Sequence, residues 1–316
     1  MAKFILKRLL SAIPTLIVVL ILVFCLVRVL PGSAAYAMLD EDNMTPEAVA
    51  ELEARLGIDK PIWEQFAVYV RDVMTGNWGI SYMNGRSVLA NIKGRLEPTI
   101  MIALTSTLIT VVLGIPMGVF AATHRNSWLD YTLSSAALVF RTVPAFWLCA
   151  MLVYFVAFKT GLFPIQGYVT IAKGGIFKAL HCVALPSIAL GLSHVAATAR
   201  HTRSSMLQVL GEDYVRTAKA KGLSLLKIRY KHALRNTASL IVTTVGTSMA
   251  AMLGGSTVVE KVFNIEGIGK LAYDSLMKRD YPQEQAVILF AALIFIGLNI
   301  VLDILYKIID PRISFD

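Results

Sequence analysis

The stretch Leu9–Leu30, LLSAIPTLIVVLILVFCLVRVL, decides the fold. Between Arg8 and Arg28 it carries no charge. Its apolar residues form a continuous run rather than a stripe on one face. A bilayer core about 30 Å thick takes roughly 20 helical residues to cross, so the run reads as a transmembrane helix. Similar runs recur at 99–122, 131–157, 181–200, 237–257 and 285–308, which gives an all-α polytopic membrane protein with six spans. The fourth and fifth are rich in Ala, Ser, Thr and Gly. Small residues let helices approach closely, so these two are expected to pack on other helices rather than on lipid.

Composition agrees. Of the 316 residues, 56% are hydrophobic and 16% charged, where a soluble domain carries about a quarter charged residues. The net charge of +9 raises nucleic acid as a partner, but apolar spans leave no soluble basic face to receive a duplex. Cys25, Cys149 and Cys182 all fall inside apolar runs without a C-x-x-C pair, and read as small apolar residues rather than metal ligands. Lys3, Lys7 and Arg8 before the first span, with Ala35-Tyr36-Ala37 after it, resemble a secretory signal. A signal's apolar core is about 7–15 residues long, so a retained anchor is the better reading.

Orientation follows from Lys and Arg in the short loops. Segment 201–236 carries Arg203, Arg216, Lys219, Lys221, Lys227, Arg229, Lys231 and Arg235 against Glu212 and Asp213. Segment 31–98 has ten acids against six basic residues. The basic loop is therefore expected on the cytoplasmic side with both termini, and 31–98 on the outer side.

Within 31–98, Thr45-Pro46-Glu47 signals a helix start, Val49, Leu52 and Leu56 keep helical spacing, and Gly57 stops it. A second helix is expected near Pro61, with Ile62, Phe66, Tyr69 and Val73 on one face. Gly76, Gly79 and Gly85 then mark turns. This segment reads as a helical cap, a surface for a substrate-delivering protein, or both. The outer segment 257–284 is apolar enough to dip back into the membrane as an irregular re-entrant element, which is tolerated only in a protein-lined setting.

The most informative stretch is Gly211–Asn236, GEDYVRTAKAKGLSLLKIRYKHALRN. Its first half favours helix, with Ala218 and Ala220 two apart. Gly222 breaks that helix, and Leu223-Ser224 can cap a second one running to Asn236. A basic helix with small residues suits a groove in another protein. The same cations also suit anionic lipid headgroups, each gaining about 1 kcal/mol. The residues alone leave both readings open.

This stretch resembles the cytoplasmic EAA loop of ABC importer permeases, in the form found in the dipeptide/oligopeptide/nickel family. That resemblance rests on Asp213–Leu223 (DYVRTAKAKGL) and His232–Asn236 (HALRN). Arg216, Thr217 and Ala218 stand at the three EAA letters and Gly222 at the glycine, so the usual acidic first position is basic. Further matches run along the chain: KRLLSAIPTL with RVLPG, LGIDKP, GNWGIS, NGRSV, GIPMGV (Gly114–Val119), LPSIALG (Leu185–Gly191), GGSTVVEKVFNIEGIGKL, KRDYP and DPRI.

The resemblance implies a type I ABC importer permease fold in the prokaryotic cytoplasmic (inner) membrane. It implies a domain order of 1–30, an extracytoplasmic segment 31–98, a five-helix core 99–308 and a tail 309–316. The implied partners are a second homologous permease, two ABC ATPase subunits that bind ATP and Mg, an extracytoplasmic binding protein, and the bilayer. No cofactor is implied on this chain. The implied coupling residues are Asp213, Tyr214, Arg216, Thr217, Ala218, Ala220, Lys221, Gly222, Leu223, His232 and Arg235.

No G-x-x-x-x-G-K-[ST] occurs in the chain, and Gly269-Lys270 is followed by Leu271, so a non-catalytic subunit is expected. Arg141 sits near mid-span, where a charge costs about 2.5–3.5 kcal/mol. With Pro144, Phe146 and Trp147 it is a candidate for the translocation pathway, against an ordinary structural ion pair or snorkelling. Pro116, Pro144 and Pro186 are expected to kink spans two, three and four. His181 and His194 raise a nickel or metal-chelate cargo but read better as hydrogen-bonded packing residues, so no metal site is assigned. An ion-coupled secondary transporter is the rival of another class. Only Asp303 among the acids lies clearly within a span, and no inverted repeat is visible.

Overall fold

The computed structural model describes residues 2–29, 39 and 45–309. Pro31-Gly32, Ala35-Tyr36-Ala37 and the terminal Asp310–Ile313 lie outside them. The described residues are almost wholly helical, with a lone antiparallel bridge between Ile80 and Ser87. The chain divides into two units: Met1–Glu97 with Gly267–Gly297, and Pro98–Glu266 with Leu298–Asp316.

In the first unit, α1 (Ala2–Val29) is followed by α2 (Pro46–Leu56) and α3 (Ile62–Met74). The caps of α2 follow the sequence: the Thr45 hydroxyl accepts from the Ala48 amide at 3.2 Å, and Gly57 ends the helix at φ +70°. The end of α1 is fastened to α3. The Arg28 guanidinium stacks 3.4 Å from the Phe24 ring centroid and donates to Gln65 Oε1 at 2.6 and 3.1 Å. Phe24 in turn meets Phe66 edge-on at 5.1 Å. Ile62, expected on the same face, is instead 67% exposed, because it lies in the first turn, ahead of the contact with α1.

The Gly79–Val88 turn is tied to the start of α13 (Tyr281–Ile309) through Asp280. This carboxylate accepts from the Ser81 hydroxyl, from the Tyr82 amide at 3.1 Å and from the Gln283 amide at 3.4 Å. Burial pushes the phenols of Tyr69 and Tyr82 up to about 12, Tyr82 with help from the Asp280 charge. The expected irregular loop 257–284 is largely helical instead, as α11 (Thr257–Val262) and α12 (Ile268–Met277). Helix satisfies the backbone polar groups internally, which irregular chain does not.

The helix α4 (Val88–Ile109) begins in the first unit and, from Pro98, belongs to the second, where it passes through a π-helical turn, Thr110–Gly114, into α5 (Ile115–Thr123). Pro116 follows this π-helical turn after Ile115, inside a helix that runs on to Thr123; such turns are where a helix absorbs a residue that cannot donate its backbone hydrogen bond. α5 lies against α8 (Ile171–Leu210), and the approach is set by glycine. A Cβ on Gly118 would come within 2.5 Å of the Ala199 carbonyl oxygen and of Thr202 Cβ, and one on Gly114 within 3.0 Å of Thr198 Cβ. Gly114-x-x-x-Gly118 is the small-residue spacing that lets membrane helices touch along their backbones.

Two spans differ from expectation. The fourth is much longer than 181–200: α8 is helical to Leu210, with one break at Gly175 (φ +75°). The third is divided: α6 (Trp128–Thr142) and α7 (Ala145–Met151, extended by the π-helical turn Leu152–Phe158) meet at 98°. Pro144 lies at this corner rather than kinking a continuous helix, because Pro disfavours helical geometry in the residue before it, here Val143. Among the described residues, four helices are long and apolar enough to cross a membrane. Two bent pairs, 128–140 with 145–158 and 227–236 with 238–254, raise the number to six if each is one span.

Arg203, counted above as a loop cation, lies on α8 and is neutralised there. Its guanidinium forks onto Asp130 at 2.7 and 2.6 Å, and Asp130 also accepts from the Asn126 amide at 3.1 Å. The Asp130 side chain is only 4% exposed. Removing one partner of a buried pair strands the other and costs about 3–5 kcal/mol. We expect Asp130→Ala to lower the thermal midpoint of the detergent-solubilised chain far more than the double change with Arg203→Ala. We also expect Gly118→Ala to destabilise by about 1–3 kcal/mol through overpacking. Gly254→Ala, where a Cβ would meet nothing within 4 Å, serves as the neutral control in the same melts.

Candidate functional site

The segment after α8 folds as a compact hairpin. Gly211 and Glu212 lead into α9 (Asp213–Ala220), and Gly222 turns the chain at φ +74°. A π-helical stretch, Lys227–Ala233, and a last turn, Leu234–Asn236, then lead into α10 (Ala238–Gly255). Nothing lies within 4 Å of a Cβ added at Gly222, so glycine is required there by backbone conformation alone. Ser224 heads the returning segment: its carbonyl accepts from the Ile228 amide at 3.0 Å.

The hairpin has its own small core. Val215, Ala218 and Ile228 are buried together, with Leu210 and Leu223 packed against them. Leu210 also packs on a second cluster, containing Val119, Ala122, Met206 and Ala233, which joins the ends of α5 and α8. One further hydrogen bond closes the hairpin, from Asn236 Nδ2 to the Tyr214 hydroxyl at 2.7 Å.

The residues expected to act together are thus divided between two faces. Ala218 points inward, so its small size serves the hairpin's own packing rather than a surface joint. Leu223 is half-buried beside it. Asp213, Tyr214, Arg216, Thr217, Ala220, Lys221, Gly222 and Arg235 are exposed, and His232 is intermediate. Arg216 pairs with Asp213 at 3.2 Å, with side chains 77% and 93% exposed, a geometry that contributes little stability.

Sequence reasoning missed the apolar tip. Leu225 and Leu226 are 57% and 66% exposed, and Tyr230 follows four residues later at 49%. The signal was present in the Leu-Ser-Leu-Leu run after Gly222. It reads as a helix cap until the structure shows that the hairpin core is already filled by Val215, Ala218 and Ile228.

The third-span candidates have a different setting. Phe146 and Trp147 are exposed on α7, while Cys149 of the same helix is buried in the core of the second unit. The side chain of Arg141 lies outside the described residues. His181 Nε2 donates to the Leu162 carbonyl, 2.7 Å away, and its ring meets Phe163. Among the described residues, no group of three or more His, Cys, Asp or Glu is arranged to hold a metal.

A test separates the two faces of α9. Ala218→Leu overfills the hairpin core and is expected to speed hydrogen exchange across 213–236. Ala220→Leu adds the same bulk on the exposed side and is expected to leave it unchanged. Gly222→Ala is expected to cost about 1–2 kcal/mol, the usual penalty for a side chain in the left-handed region.

Comparison with known proteins fits this architecture. A family model described as binding-protein-dependent transport system inner membrane component matches residues 114–315, and the corresponding N-terminal model matches residues 1–103. The chain is 38% identical to a probable peptide ABC transporter permease, y4tP, of Sinorhizobium fredii, covering 100% of both chains. It is 36% identical to the dipeptide transport system permease DppB of Escherichia coli K12, covering 99% of each. Among solved structures, an inward-facing form of the MetNI methionine ABC transporter matches with a TM-score of 0.59 at 16% identity. That match covers 70% of this chain and 96% of the other. The helices, their type I permease arrangement and these full-length relatives agree that the chain belongs to the binding-protein-dependent transport system inner membrane component family, as a multi-pass, non-catalytic permease subunit of an ABC importer.

Proposed function

We propose that this permease passes di- or oligopeptides, with the 211–236 hairpin as the element that receives force from a separate ATPase. The substrate class is supported by the names of the full-length relatives, peptide and dipeptide permeases. The hairpin assignment is carried by one observation: its apolar core is complete, yet Leu225, Leu226 and Tyr230 remain exposed at its tip among Lys219, Lys221 and Lys227. Apolar side chains left uncovered together on a polar loop are characteristic of a protein interface. Leucines among lysines also suit a bilayer interface; the resemblance of Asp213–Leu223 to the coupling loop of ABC importer permeases favours the protein partner.

In this reading both termini and the hairpin are cytoplasmic, following the excess of Lys and Arg in the short loops. Two ATPase subunits, a second permease and an extracytoplasmic binding protein complete the transporter, with residues 45–88 facing the binding protein. ATP-driven closure of the ATPases would move the hairpins and rock the permeases between inward- and outward-open states. The hairpin is built to pass on such a displacement. Only Gly211 and Glu212 separate α9 from α8, and Leu210 packs on both the hairpin core and the α5–α8 cluster. The corner at Pro144, with Arg141, Phe146 and Trp147 around it, is our candidate for the pathway wall.

The decisive variants are at the exposed tip, because changes there spare the hairpin's own packing. Leu225→Asp with Leu226→Asp is expected to leave membrane insertion intact and to abolish co-purification of the ATPase. In proteoliposomes with binding protein and ATP, peptide uptake should fall to background. Gly222→Val should uncouple the system, with hydrolysis persisting while uptake is lost. Full uptake by the double Asp variant would overturn the docking assignment. Uptake by the chain alone, driven by an ion gradient, would overturn the transporter class.

A further inference from the structure

Away from the hairpin, a cavity of about 290 Å³ opens between α5, α6 and α8. Its walls are mainly apolar, with Met117 and Ala121 from α5, Leu133, Ala137 and Leu138 from α6 and Ala199 from α8, and include the hydroxyl-bearing Ser134 of α6. Two guanidinium groups of α8, Arg200 and Arg203, stand at it. They differ in state. Arg203 is neutralised by Asp130, whereas Arg200 is exposed and makes no hydrogen bond or ion pair among the described residues. The first turn of α6 next to the cavity presents Trp128 and Tyr131, 72% and 63% exposed. Trp and Tyr placed this way mark the headgroup level of a bilayer. Taken as that level, they set the cavity walls in the hydrocarbon, with Arg200, one turn of α8 before Arg203, within snorkelling reach of the headgroups.

We propose that this cavity is a binding site for an anionic phospholipid, one acyl chain lying between α5 and α6 and the phosphate paired with Arg200. Charge complementarity selects that occupant. A lipid meets both features of the cavity at once, its acyl chain the apolar walls and its phosphate Arg200. Basic pockets between membrane helices are a recurrent way of holding acidic headgroups. The cavity volume falls at the lower end of ligand sites, which suits part of a lipid held at the protein edge rather than an enclosed solute.

The proposal rests on the membrane-spanning character of the chain and not on peptide transport or ATPase docking, so it stands or falls separately. The test is native mass spectrometry of the chain released from mild detergent, with equal phosphatidylglycerol and phosphatidylethanolamine supplied. Wild type is expected to retain phosphatidylglycerol in preference to phosphatidylethanolamine. Arg200→Gln should reduce its occupancy roughly fivefold, the effect of one cation at an anionic surface. Arg200→Lys should keep most of it, which separates loss of charge from loss of fold. A photo-crosslinking residue at the exposed position Leu138, in an otherwise wild-type chain, should capture lipid. Equal retention of both lipids, unchanged occupancy in Arg200→Gln, or a cross-link from Leu138 to another protein subunit would each overturn the assignment.

Discussion

The close approach of α5 to α8 is the contact on which the second unit depends. In a bilayer there is little hydrophobic gain in bringing two apolar helices together, since lipid tails are as apolar as leucine. Association has to come from contact area, and contact area here comes from the lack of side chains at Gly114 and Gly118. The small residues opposite them, Thr198, Ala199 and Thr202, complete the fit. With α8 fixed in this way, α6 is held by the Asp130–Arg203 fork, and the hairpin is carried on Leu210. The functional tip is thus several contacts away from the glycines that position it.

That arrangement explains which features can be read from the sequence. The first and last spans, the caps of α2 at Thr45 and Gly57, and the turn at Gly222 are local: each follows from residues within one or two helical turns. The third span is different. An apolar run from 131 to 157 looks continuous by composition, and only the geometry at Val143-Pro144 turns it into two helices. The length of α8 was also hidden, because His201, Arg203 and Gln208 read as polar loop, while in the fold Arg203 is neutralised by Asp130 without leaving the helix.

Within the hairpin the limit is one of direction. Ala218 and Ala220 are the same residue type two positions apart, and composition assigns them one role. On a helix, neighbours two apart point to different sides. Ala218 closes the core with Val215 and Ile228, and Ala220 faces out. The exposed leucines escaped for the complementary reason: an apolar pair in a short helical segment is expected to be buried unless the core beneath it is known to be full. Counting cations had a similar weakness, since Arg203 adds to the loop's charge in the sequence but is cancelled in the fold.

The seam at Gly118 also governs spacing. Residue 118 and Thr202 share one small volume, so neither can grow while the other stays as it is. Trimming the methyl of Thr202 would not make room for one at 118, because the Ala199 backbone oxygen and Thr202 Cβ stand nearer still. Any side chain at 118 must therefore be met by moving a helix, which ties the spacing of α5 and α8 to this one glycine.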